Sequence, residues 1–273
     1  MNPEVTIIIP TLNEEKFIEK CLDSVIKQTY PFLYMELFVI DGGSSDRTCD
    51  IVSGLSQKYP NIYLLRNAHR IQSAAFNIGV KKSSAPYIIR LDAHAIYDSR
   101  YVELSISALK ENENIGNVGG RCNIIPQEHK IIAEANAILN KVSFGIGGAA
   151  FRVGRTAGYV DTVPFGAFPK KVLEEVGEMN EKLDRGEDNE YNCRIRKAGY
   201  WIYFNPQIKS FYFARKSLCS SMIQMYSNGY SIGRLLFIDY HSISLRHLVP
   251  LFFVMSLLIT FIFSFFSIES RII

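Results

Sequence analysis

Residues 5–46 read VTIIIPTLNEEKFIEKCLDSVIKQTYPFLYMELFVIDGGSSD. A short apolar run, residues 5–9, is closed by Pro10. Phe17, Ile18, Cys21, Leu22, Val25 and Ile26 then recur at helical spacing before a second apolar run, residues 37–40. Thr11-Leu-Asn-Glu14 has the form of a capping box, with Glu14 placed to reach back to the helix start. Each apolar run ends in a polar cluster, Thr11-Leu-Asn-Glu-Glu15 after the first and Asp41-Gly-Gly-Ser-Ser-Asp46 after the second. Strand, helix, strand in this order is a βαβ unit, whose strands pair in parallel.

The pattern repeats outward. Residues 48–58 form a second helical stretch with Ile51, Val52 and Leu55 inward. Residues 62–65, 71–80 and 87–91 read as strand, helix and strand. The fold class is therefore α/β, a mostly parallel central sheet with helices on both faces, binding its ligand at the carboxyl ends of the strands. Asp92-Ala-His94 follows the last of these strands, where that rule places a site. After Arg100 the alternation loosens. A helix to about residue 110, a strand near 118–125 and a helix over 128–144 precede a stretch, 145–158, with five glycines. Such a stretch suits a mobile or ligand-moulded segment rather than a linker between domains. Helices near 170–176 and 187–197 follow.

The chain has 273 residues, enough for two domains or one large domain with an appendage. With 48% hydrophobic and 21% charged residues it has the material for a sizeable core, which excludes a disordered chain. Thirty Lys and Arg against 27 Asp and Glu leave a net charge of +3, too weak for a general nucleic-acid binder. Cys21, Cys49, Cys122, Cys193 and Cys219 are scattered and odd in number, which disfavours a disulfide scaffold or a cysteine zinc site and suits a reducing compartment.

The far end of the chain is of another kind. Residues 248–268, LVPLFFVMSLLITFIFSFFSI, carry no charge. At ~1.5 Å per residue such a helix spans the ~30 Å hydrocarbon core. A buried core helix is the alternative. Arg234, Arg246 and His247 precede the run and Arg271 follows it, so the positive-inside tendency puts residues 1–216 on the cytoplasmic side of the cell (inner) membrane. Residues 217–247 form a juxtamembrane region. There Leu218, Met222, Met225, Tyr226 and residues 235–237 line an amphipathic helix that either lies on the membrane or packs on the globular domain. Arg215, Lys216, Arg234 and Arg246 suit anionic lipid head groups or a lipid diphosphate, or merely flank the span. Phe165-Gly-Ala-Phe168 is explained by a core turn.

Three clusters carry chemistry. The Asp41–Asp46 loop offers backbone N–H groups and two carboxylates; Asp41 suits a nucleobase imide or a ribose hydroxyl, and Asp46 suits the cap of the next helix. It is neither G-x-G-x-x-G nor a Walker loop. Asp92 and His94 stand two apart, and in extended backbone both point the same way, toward one Mg²⁺ or Mn²⁺. Gly186-Glu187-Asp188 opens a helix; its carboxylates serve the helix dipole or supply a general base, with Arg194 and Arg196 on neighbouring turns.

Together with Pro10-Thr-Leu-Asn-Glu14, Arg70, Asn77-Ile-Gly79, Arg194 and Gly199, these clusters resemble the family 2 glycosyltransferases, inverting enzymes of the GT-A fold. The similarity covers residues 5–233 and is strongest to the membrane-attached transferases of succinoglycan type, which build bacterial exopolysaccharide. Asp92-Ala-His94 stands where the family has Asp-x-Asp. The absence of Gln-x-x-Arg-Trp argues against a processive cellulose- or chitin-synthase type, although Gln224, Tyr226 and Gly229 lie in the matching region.

The resemblance implies a nucleotide-sugar donor, a UDP-sugar, and a lipid-linked or saccharide acceptor. It implies that Leu12, Glu14, Asp41 and Asp46 surround the base and ribose, and that Arg70 contacts the donor. Pro10, Gly43, Ser44, Asn77 and Asp92 complete the donor set, Asp92 and His94 hold the metal, and Asp188 is the base, with Glu187 its rival. Chemistry agrees, since expelling a nucleoside diphosphate calls for a cation on the leaving group and a base on the attacking hydroxyl. A nucleotidyltransferase would carry a Gly-rich basic loop where Thr11-Leu-Asn-Glu-Glu-Lys16 stands. A nucleotide-sugar binding scaffold has His94 as its only sequence support.

Overall fold

Val5–Thr11 (β1) is central because both of its faces are apolar. Val5, Ile7 and Ile9 enter one core and Ile8 the other, all at 0% exposure. Met35–Asp41 (β2) and Tyr87–Arg90 (β4) pair with it in parallel, and Ile62–Arg66 (β3) pairs in parallel with β2. The helical crossovers between them are Ile18–Ile26 (α1), Thr48–Lys58 (α2) and Gln72–Lys82 (α3). The computed structural model describes residues 2–126, 134–135, 138, 150–154, 156–213 and 217–266.

The chain continues through Ala95–Tyr97 (β5), Tyr101–Glu111 (α4), Ile115–Ile125 (β6), Ala150–Val153 (α5), Gly158–Val160 (β7) and Ala167–Pro169 (β8). Lys170–Val176 (α6), Glu187–Lys197 (α7), Trp201–Phe213 (β9), Leu218–Asp239 (α8) and Val249–Phe266 (α9) follow. The sheet order is β3-β2-β1-β4-β8-β6-β9-β5, with β7 also on β9.

Helices α1, α2 and α4 cover one face with Ile18, Leu22, Val25, Val52, Tyr101, Val102 and Ile106. Helices α3, α6 and α7 cover the other with Ala75, Phe76, Val172, Leu173, Tyr191 and Ile195. Each large apolar side chain so buried stabilises by roughly 1.5–3 kcal/mol before entropy is charged.

The parallel sheet holds across β3-β2-β1-β4. Beyond it β8 runs antiparallel to both β4 and β6, and β9 is parallel to β6 but antiparallel to β5 and β7. The long β9 departs most from the sequence pattern. Its register on β6 jumps between Gly120↔Asn205 and Arg121↔Lys209, so Pro206 falls in a bulge where it breaks no ladder.

The capping box at Thr11–Glu14 does not form. Helix α1 begins at Ile18 with no side-chain cap, Asn13 turns the backbone at φ 57, and the Glu14 carboxylate is held by His94 instead. Asp46 does serve α2, accepting from Thr48 N at 3.0 Å.

Helix α8 inverts the usual amphipathic arrangement. It buries Ser221, Ser231 and Leu235, while Met222, Met225, Tyr226 and Phe237 face outward, Phe237 at 94% exposure. Residues Leu245–Phe265 are long and apolar enough to cross a membrane by length and composition, and none of that stretch is buried. Among the described residues nothing covers it as a core would. The expected helix over 128–144 lies largely outside the described residues, as do residues 145–149 and 155, Arg215, Lys216 and Arg271.

Candidate active site

A cleft of about 520 Å³ opens at the carboxyl ends of β1, β2 and β4, where the parallel half of the sheet meets α7. Pro10 lines it from the end of β1, Leu12 and Glu14 from the loop after β1, and Arg70 from the turn before α3. Asp92 and His94 follow β4, and Glu187 and Asp188 open α7.

The loop after β2 supports this cleft from behind. Asp41 is buried and accepts from Gly43 N at 2.7 Å, from Ser44 N at 2.9 Å and from Ser44 Oγ. Burial works against its charge, but these hydrogen bonds, led by Ser44, hold the carboxyl below its ordinary range. Ser44 Oγ also accepts from Asn13 N, and Asp46 from Glu15 N, so the two loops are clasped together. Gly42 lines the cleft, while Asp41, Gly43, Ser44 and Asp46 do not. Their placement is that of a loop clasp.

Arg70 sits at φ 61 and donates from Nε to Gly42 O at 3.0 Å. A positive φ in a non-glycine residue is costly, and the bond back to the β2 loop helps offset it. Asn77 is a correction. It lies outside the cleft, and its amide is spent on Met179 N, Met179 O and Glu181, tying α3 to the loop before α7.

Asp92 lies outside any strand and residues 93–94 form a turn, so the expected i, i+2 alignment is replaced by another geometry. His94 Nδ1 lies 2.8 Å from Glu14 Oε1, and Nε2 lies 3.0 Å from the Tyr212 hydroxyl. Asp92 Oδ1 is buried with no hydrogen-bond partner. Among the described residues no three His, Cys, Asp or Glu cluster as a ligand set. A divalent cation at this place would be held mainly by Asp92, with its other ligands coming from outside the protein. His94 joins such a set only by giving up Glu14 or Tyr212.

Helix α7 begins at Gly186, whose φ of 79 favours glycine. A Cβ there would come within 2.8 Å of Ser231 Oγ and 2.9 Å of Leu235 Cδ1. The glycine thus makes room for α8. Glu187 and Asp188 both line the cleft and both reach Arg90, although adjacent helical positions diverge by about 100°. Burial, and then the Asp188 charge, pushes Glu187 up to about 7, with Arg90 opposing. Asp188 is also raised by burial; Arg90 opposes and Asp92 adds. The two titrate as a pair.

Arg90 was not singled out by motif. Its signal was a lone arginine inside the apolar strand Tyr87–Arg90. Burial works against its charge, and Asp188, Glu187 and Asp92 more than offset that effect. Tyr212, Asn67, Arg185, Gln224 and Asn228 also line the cleft. Arg185 donates to Asn228 at 3.1 Å, which joins the α7 approach to α8.

The profile of Glycosyl transferase family 2 matches residues 6–177. The chain belongs to glycosyl transferase family 2. It is 33% identical over 270 residues to a dolichyl N-acetyl-alpha-D-glucosaminyl phosphate 3-beta-D-2,3-diacetamido-2,3-dideoxy-beta-D-glucuronosyltransferase of Methanococcus voltae, covering 94% of this chain and 81% of that protein. It is 29% identical over 252 residues to the succinoglycan biosynthesis protein ExoA of Rhizobium meliloti, covering 90% and 74%.

Two solved transferases share the fold. Mannosyltransferase PcManGT of Pyrobaculum calidifontis, in complex with GDP-Man and Mn²⁺, superposes with a TM-score of 0.62 at 21% identity, covering 88% of this chain and 63% of that one. S. aureus TarS residues 1–349 with UDP gives 0.61 at 16% identity, covering 86% and 66%. The chain is a glycosyltransferase of GT-A fold, as its motif order implied, and the succinoglycan-type likeness is met by the Rhizobium relative.

Proposed function

We propose that this family 2 transferase moves a sugar from a nucleoside-diphosphate sugar to a hydroxyl of a lipid-linked or polysaccharide-precursor acceptor, with inversion at the anomeric carbon. The observation that carries this reading is the convergence of Asp92 and Asp188 on one cleft at the carboxyl ends of β1, β2 and β4. Leu12 and Arg70 face the nucleoside end, and Asp92 faces the diphosphate. Asp188, 38% exposed in its side chain, takes the acceptor proton as that oxygen attacks C1. With one base and no covalent intermediate, the configuration inverts. Mg²⁺ or Mn²⁺ on Asp92, when bound, would neutralise charge on the departing diphosphate.

A lipid-linked acceptor fits the name of the Methanococcus relative, and the outward apolar face of α8 followed by α9 suits attachment to a membrane. The catalytic part, residues 1–216, then lies on the cytoplasmic side, followed by the juxtamembrane 217–247 and the span 248–268. Asp188→Asn tests the base. Transfer falls by ~10²–10⁴-fold while nucleotide binding persists; near-normal turnover would assign that carboxylate another role.

A second reading, a nucleotide-sugar binding scaffold, is favoured by His94 having both ring nitrogens engaged within the protein. A donor panel of UDP- and GDP-sugars, scored by thermal stabilisation and by nucleotide release with Mg²⁺ or Mn²⁺, separates the two. Stabilisation without release under any condition supports the scaffold.

A further inference from the structure

The chemistry above uses Asp92 on the donor side and Asp188 on the acceptor side, and it leaves the buried charge between them without a task. The Arg90 side chain is 5% exposed. Its neighbours in sequence, Ile88, Ile89 and Leu91, are apolar and fully buried, so the sheet itself has no use for a guanidinium there. Burying one carries a large desolvation penalty. Every contact of the Arg90 fork is directed at the cleft. Nη1 donates to Asp188 Oδ1 and Nη2 to Gln72 Oε1 at 2.7 Å; Nη2 also lies 3.3 Å from Glu187 Oε1 and 3.6 Å from Asp92 Oδ1.

We propose that Arg90 is a positioning residue for sugar transfer, aiming the Asp188 carboxylate at the acceptor hydroxyl while Gln72 fixes the guanidinium from its other arm. The proposal rests on Asp188 being the base. Asp188 stands in the first turn of α7, partly open to solvent, beside the like charges of Glu187 and Asp92. Left alone, it would be driven off by repulsion and drawn out by water. The rigid fork of an arginine divides the two α7 carboxylates between its arms, which a lysine point charge does not do. A misplacement of about 1 Å in a reacting group costs ~10²-fold in rate.

The test uses the full chain. Nucleotide release from UDP-N-acetylglucosamine and GDP-mannose gives kcat and KM, and UDP or GDP with Mn²⁺ gives binding by thermal shift. Arg90→Gln should lose ~10²-fold in kcat with donor KM within about threefold, and Arg90→Lys should recover about tenfold of that loss. In an Asp188→Asn background Arg90→Gln should cost nothing further, because the group it aims is gone. A crystal structure of Arg90→Gln, which needs no turnover, should show Asp188 displaced from its present position. Arg90→Lys takes its place if the glutamine variant does not fold.

An undiminished Arg90→Gln loss in the Asp188→Asn background overturns the positioning role alone. So does an equal fall of kcat and nucleotide binding, or an unmoved Asp188. Near-normal turnover of Asp188→Asn by itself defeats the base assignment beneath it.

Discussion

Asp161 Oδ1 and Arg246 Nη1 meet at 2.6 Å, joining the residue after β7 to the 3₁₀ turn that leads into α9. Ser244 Oγ donates to the other carboxylate oxygen. A second tie, Lys197 to Asp239 at 2.7 Å, connects the last turn of α7 to the end of α8. The segment leading into the apolar helix is therefore tied to the rest of the protein through side chains as well as through the chain.

Asp161→Asn should cost ~1.5–3 kcal/mol, the range for hydrogen bonds to charged groups. Burial opposes the Asp161 charge, but Ser244 and then Arg246 hold the carboxyl below its ordinary value. A depressed folded-state value gives stability that is present above the unfolded value, about 3.9, and lost as pH falls through the folded one. In detergent, the melting gap between the native protein and Asp161→Asn should be full at neutral pH and shrink below about pH 4. Equal melting temperatures at pH 7 would mean the pair contributes nothing.

Glu187 carries the opposite sign. Its folded value of about 7 lies above the model-peptide value, so the folded state binds more protons between the two. Stability from this group is present at low pH and lost as pH rises toward 7. Glu187→Gln should flatten that slope, melting higher relative to the native protein at pH 8 than at pH 5. A parallel pair of pH–melting curves would rule out the raised carboxyl.

Donor binding should depend on Asp92 more than on His94. Asp92→Ala removes the buried oxygen that lacks a hydrogen-bond partner and should abolish the gain in UDP or GDP binding on adding Mn²⁺. His94→Ala frees Glu14 and Tyr212 and should weaken that gain by ~10–100-fold, as losing an orienting contact does at other metal sites. Titration calorimetry with and without EDTA measures both. Full-strength nucleotide binding in EDTA would remove the metal from the donor site.

Much of the first half was legible because its two signals coincide. Apolar runs of the right length for strands alternate with helical periodicity, and polar clusters fall at strand ends. The strand starting at Val5 and the helix at Glu187–Lys197 were both readable in this way. What escaped notice depended on distant partners. Arg90 looks like an interruption of a strand until α7 is folded over it, and Asn77 looks like a cleft residue until Met179 is brought beside it. Three-residue strands such as Ala95–Tyr97 are too short to show a period, and Pro206 masked β9. Helix α8 carried a clear apolar stripe, but a stripe alone does not say whether it faces the domain or away from it.

That last point changes what truncation should do. Removing residue 248 onward deletes α9 and leaves every cleft residue in place, so UDP or GDP binding should survive. The outward face of α8 also survives, with Met222, Met225, Tyr226 and Phe237 uncovered. Burying such side chains in lipid is worth roughly 1.5–3 kcal/mol each. The truncated chain should therefore still sediment with anionic vesicles, reversibly and more weakly than the full chain. Replacing Met222, Tyr226 and Phe237 by serine in the truncated chain should release it into water with nucleotide binding intact. These three are more than half exposed and pack little against the domain, so their loss should not unfold it. Vesicle binding that disappears on removing α9 alone would show that α8 meets water or protein, and that the membrane contact lies in the apolar helix by itself.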